Sequence, residues 1–105
     1  MKIRLIVPNC NKGHKSPVKE YGDRIADIAG GFTATQATGG WTDNQGQLIV
    51  EPVTVFDCCI PTTATLNYRG IIVAKWADLA TRIARDLSQT CVYLEIDGIV
   101  EYVRP

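Results

Sequence analysis

Apolar residues recur at helical spacing in only two places along this chain. Val18, Tyr21, Ile25 and Ile28 form one stripe, and Trp76, Leu79, Ala80, Ile83, Ala84 and Leu87 form the other. Around them, residues 2–7, 32–38, 47–59, 91–96 and 99–103 alternate or run apolar as strands do. Two helices cannot cover both faces of a sheet of this size. The order βαββαβ with one more strand predicts an α+β, ferredoxin-like fold: an antiparallel sheet, both helices on one face, and an extra C-terminal strand.

Local punctuation supports the same order. Ser16-Pro17 supplies an N-cap and a proline at the first helical position, and Gly30-Gly31 stops the helix, which spans 17–29. A second helix is expected over roughly 73–88. Asp43-Asn44-Gln45-Gly46 reads as the turn between the second and third strands, and Asp97-Gly98 as a tight hairpin turn. Pro52 predicts a bulge, because proline cannot donate to a ladder.

The third strand is apolar on both sides. Leu48, Val50, Thr54, Phe56 and Cys58 share one face; Ile49, Glu51, Val53 and Val55 share the other. A sheet face left to water should alternate with polar residues. The face without helices is therefore expected to be covered by another subunit.

With 105 residues the chain has the size of one domain, 1–105. Eleven cationic and eleven acidic residues cancel, which argues against non-specific binding to nucleic acid or a membrane surface. No apolar run approaches a membrane span. The start, MKIRLIVPNC, lacks the long apolar stretch and cleavage site of a signal peptide, so a cytoplasmic protein is expected. Cys10, Cys58, Cys59 and Cys91 are read as free structural thiols: nothing marks secretion, and a zinc site would want CxxC pairs or more histidines than His14. No metal or cofactor is expected.

The chain has no GxSxG, P-loop, HExxH or CxxC. Gly30-Gly31 and Gly39-Gly40 read as a helix stop and a strand end, since neither opens a helix after a strand. The pair that stands out is Trp41 and Glu51, on neighbouring strands of one hairpin. An aromatic face beside a carboxylate suits a flat ring carrying a positive centre. The plain alternative makes Trp41 a core or interface aromatic and Glu51 a solvated edge residue.

GGW, a glycine turn, VEPVTVFDC, an amphipathic helix and QTCVYLE together resemble the small phage S-adenosylmethionine lyases, long described as SAM hydrolases. The matching positions are Gly40, Trp41, Glu51 and Gln89-Cys91-Val92. Where the family has a tyrosine this chain has Trp41, so that position offers no phenolic hydroxyl. The resemblance implies a trimer with active sites between subunits, S-adenosylmethionine as substrate, no cofactor, and in a phage a role against restriction in the host cytoplasm. It also implies cleavage to methylthioadenosine and homoserine lactone by the substrate's own carboxylate, with no protein nucleophile. Glu51 would orient the substrate, Gly40 and Trp41 would border the adenosyl group, and Tyr68 and Arg69, ahead of the second helix, would close over it.

A rival class is a non-enzymatic oligomer that sequesters a nucleotide. Such a protein would place cations such as Arg4, Lys75 or Arg104 near phosphates. A third is an interaction module with no small ligand. Zero net charge and a lone carboxylate favour a cationic ligand over a polyanion.

Overall fold

In a computed structural model, which describes residues 1–9, 15–61 and 67–105, the elements run β1 (Lys2–Pro8), α1 (Pro17–Ala29), β2 (Thr33–Thr42), β3 (Leu48–Cys59), α2 (Arg69–Asp86), β4 (Val92–Ile96) and β5 (Ile99–Val103). They form a five-stranded sheet in the order β2-β3-β1-β4-β5, with every neighbouring pair antiparallel. This is the ferredoxin-like order extended by one strand at the β4 edge, as the two helical stripes require.

Both helices lie on one face. Ile3, Leu5 and Val7 of β1, Phe56 and Cys58 of β3, and Val92 and Leu94 of β4 pack there with Tyr21 and Ile25 of α1 and with Trp76, Leu79, Ala80, Ile83 and Ala84 of α2. The α1 stripe is turned slightly from the expected one: Pro17, Tyr21, Gly22 and Ile25 are buried, while Val18 is exposed. Gly22 packs closely under Phe32: a Cβ there would meet the ring at 3.3 Å and press it outward. Ser16 caps the helix by accepting from Lys19 N at 3.4 Å, and Gly30 ends it with φ 82°.

The second helix begins a turn earlier than expected. Its first residue is Arg69 and Tyr68 is its N-cap, so these two residues belong to the helix start and not to a loop ahead of it. At the expected turns, Asp43 Oδ1 accepts from Gln45 N at 2.8 Å and Gln47 N at 2.9 Å. Asp97 (φ 50°) and Gly98 (φ 83°) form the two-residue link between β4 and β5 with both residues left-handed.

Pro52 makes no bulge. The β2–β3 register runs unbroken from Thr33↔Asp57 to Thr42↔Leu48. The reason lies in where its missing donor points. The Pro52 carbonyl accepts from Asn9 N at 3.0 Å, and in an antiparallel strand a residue's N and O face the same neighbour. The absent N–H thus faces the side where β1 has ended, and no ladder bond to β2 is lost.

Cys58, Cys59 and Cys91 are free thiols. Cys10 and His14 lie outside the described residues.

Candidate site on a projecting two-stranded ribbon

The geometry of the candidate site follows from unequal strand lengths. β1 ends opposite Val53, at Pro8↔Val53, whereas β3 begins five residues earlier, at Leu48. Outward of Pro52, β3 pairs among the described residues with β2 alone, so the hairpin leaves the body as a two-stranded ribbon on a molecule 45 Å long. Such a ribbon has little to bury of its own. Leu48 (70% exposed) and Val50 (58%) are bare on the helix side, and Trp41 (52%) is bare on the other.

Glu51 and Trp41 share the face away from the helices. Glu51 stands directly opposite Gly39, and Trp41 opposite Ile49, so the two are diagonal neighbours about 7–8 Å apart at the backbone. Glu51 is partly buried. Gly40 pairs with Val50 and belongs to the opposite face, where it lends the ribbon thinness and no side chain to the Trp41–Glu51 surface. Among the described residues no helix covers this face. It continues over Ile6, Val55 and Tyr93, all partly exposed, to Val100 and Tyr102.

Polar groups rim this apolar strip. Arg4 Nε donates to Asp57 Oδ1 at 2.8 Å, a bond that holds the guanidinium charged, and Tyr93 Oη donates to Glu95 Oε1 at 2.6 Å, which raises the phenol's pKa. Tyr93 and Tyr102 meet edge to face with centroids 5.8 Å apart.

Tyr68 and Arg69 sit elsewhere. Arg69 Nη1 donates to Asp97 Oδ2 at 2.8 Å, and Asp97 N donates to the Lys2 carbonyl at 2.8 Å. Lys2 pairs with Cys59, which lies about 26 Å along β3 from Glu51 at ~3.3 Å per residue. The two sets therefore occupy opposite ends of the sheet. Within one chain the structure joins Trp41 with Glu51, and Tyr68 with Arg69, but not the first pair with the second.

Other features favour neither set. An open cleft of about 730 Å³ lies at the end of the sheet far from Glu51, lined by Lys2, Arg4, Phe32, Asp57, Cys59 and Glu95 among others. The cations of the nucleotide-sequestering reading do not converge. Arg4 is engaged by Asp57 on the open face, Lys75 lines a groove between the helices, and Arg104 follows β5.

Sequence reading missed one polar cluster on the helix side of the ribbon's base. Asn9 Nδ2 donates to Gln36 Oε1 (2.7 Å), Gln36 Nε2 to Thr54 Oγ1 (3.0 Å), and Thr54 Oγ1 to Asn9 Oδ1 (2.6 Å). Its signal was Thr54, a hydroxyl in the helix-facing apolar series of β3.

The antiparallel sheet with both helices on one side, an opposite face that no helix covers among the described residues, and a projecting two-stranded ribbon defines an α+β ferredoxin-like protein. Solved structures of this fold include a phage SAM lyase in complex with S-methyl-5'-thioadenosine. It aligns with a TM-score of 0.65 at 19% identity, over 95% of this chain and 83% of that one. A phage SAM lyase in the apo state aligns with a TM-score of 0.54 at 22% identity, over 95% and 82%. No protein-family model and no curated protein sequence matches the chain.

Proposed function

We propose that the protein is an S-adenosylmethionine lyase working between copies of the chain, as a trimer. The observation that carries this reading is the fold likeness, over 95% of the chain, to a phage SAM lyase bound to S-methyl-5'-thioadenosine. That molecule is the thioether left when S-adenosylmethionine loses its aminobutyrate arm.

The reaction suits a site with few reactive groups. One oxygen of the substrate carboxylate attacks its own γ-carbon, the C–S bond breaks, and the electron pair stays on sulfur. A carboxylate and a sulfonium become a neutral lactone and a neutral thioether. No proton moves, so no general base is needed, and an apolar surround favours a transition state in which both charges are fading. Glu51 takes the substrate ammonium, which keeps the amino acid end folded with its carboxylate free to attack. Trp41 lies against the adenosyl group. Tyr68 and Arg69 of a neighbouring copy close the site, which accounts for their distance from Glu51 within one chain. The bare face around Ile6 and Val55 is the assembly surface.

The test is incubation of the purified protein with S-adenosylmethionine, followed by chromatography. Methylthioadenosine and homoserine lactone in equal amounts are expected. Unchanged substrate after prolonged incubation at micromolar protein would overturn the proposal.

A further inference from the structure

We infer that the Asn9–Gln36–Thr54 ring is a positioning clamp: it sets the direction of the ribbon that carries Trp41 and Glu51. The inference rests on the lyase reading for its functional consequence, and on geometry alone for the clamp itself.

The ring sits where the sheet narrows. Gln36 and Thr54 are direct partners across β2 and β3, and Thr54 also faces Val7 of β1, the last helix-side residue before β1 ends. Asn9 is the first residue past that end. Its backbone N–H reaches the Pro52 carbonyl at 3.0 Å while its side chain closes the ring, so one residue holds the ribbon's base by both backbone and side chain.

Each of the three side chains donates once and accepts once within the ring. Head-to-tail bonds of this kind polarise one another, and a buried hydroxyl such as Thr54 (0% exposed) is held only where it is paired. An apolar residue at position 54 would satisfy the core as well or better. The hydroxyl gives the base a preferred geometry that packing alone would not supply, because among the described residues no third strand aligns the ribbon outward of Pro52.

The lever is short. Glu51 is three residues from Thr54, about 10 Å along the strand, so a tilt of roughly 6° at the base moves its carboxylate by about 1 Å. Misplacement on that scale can cost about 100-fold in rate.

Thr54→Val keeps the shape and removes the hydroxyl; Thr54→Ser restores it. Hydrogen exchange followed by mass spectrometry reads the clamp without reference to activity. In Thr54→Val, amides of residues 39–42 and 48–51 should exchange on the order of tenfold faster, with β1 and β4 unchanged and Thr54→Ser close to wild type. S-adenosylmethionine cleavage per folded protein should fall on the order of tenfold or more in Thr54→Val and recover in Thr54→Ser. Unchanged ribbon exchange, or acceleration spread evenly over the sheet, would overturn the clamp. Faster ribbon exchange at full cleavage would overturn its role in positioning. If the wild-type protein cleaves nothing, the lyase reading and the positioning role fall together, and the exchange result still decides the clamp.

Discussion

Gly39 lies directly opposite Glu51 in the β2–β3 ladder, on the face that no helix covers among the described residues. A Cβ on Gly39 would stand 3.0 Å from Val53 Cγ1. The absence of a side chain leaves the flank of the carboxylate open, and the neighbouring Val53 already fills the space below. Gly39→Val should crowd both groups. The expected outcome is a loss of about 1–3 kcal/mol in thermal or urea denaturation. Cleavage activity should fall further than the lost folded fraction accounts for.

Assembly through the bare face makes a separate prediction. Val55 lies between Ile6 and Thr35 at the centre of that face, partly exposed in the isolated chain. Wild-type protein should scatter light as a trimer at micromolar concentration. Val55→Lys should be monomeric with an unchanged circular dichroism spectrum, because a buried unpaired ammonium costs several kcal/mol at an interface and little in water. A stable wild-type monomer, or a Val55→Lys trimer, would contradict the assembly.

Acid sensitivity should trace in part to Asp97. The Lys2 N–H, and after it Arg69, hold its carboxyl below the usual carboxylate range. A lowered folded pKa contributes stability above the unfolded value of about 4, and that stability is lost as pH falls through the folded value. Asp97→Asn should therefore melt below wild type at neutral pH, and the gap should close as the pH falls through the lowered folded value. Melting curves across pH 2–7 measure this directly.

The adjacent thiols should differ sharply. Burial, and after it Asp57, pushes the Cys58 thiol up to about 11, while Cys59 is exposed. Iodoacetamide at pH 8 should alkylate Cys59 readily and leave Cys58 unmodified until the protein is denatured, as peptide mass spectrometry would report. Equal labelling of the two in the native protein would contradict the packing of Cys58 against the helices.

Much of this architecture was legible because short-range rules governed it. The stripes through Tyr21–Ile25 and Trp76–Ile83, the Ser16 cap and the Asp97-Gly98 turn each depend on residues within a turn of one another. The start of α2 was not, because Tyr68 and Arg69 carry no capping signature; Arg69 is fixed there by Asp97, a partner 28 residues away. Pro52 was misread for a related reason: its effect on a ladder depends on where β1 ends, which the local pattern around it does not encode. In the candidate site, Trp41 and Glu51 were found because one hairpin joins them. The Asn9–Gln36–Thr54 ring was not, because its members come from two strands and from the residue just past the end of a third.

On the lyase reading, Glu51 serves turnover and not folding. Glu51→Gln keeps the side-chain shape and removes the charge that would hold the substrate ammonium. The direct measurement is methylthioadenosine formed from S-adenosylmethionine by wild type and Glu51→Gln side by side, with oligomeric state and melting temperature recorded on the same samples. The expected result is turnover by wild type and a loss on the order of 100-fold or more in the variant, with assembly intact and melting unchanged or slightly raised. Full activity in Glu51→Gln would rule out that role for Glu51.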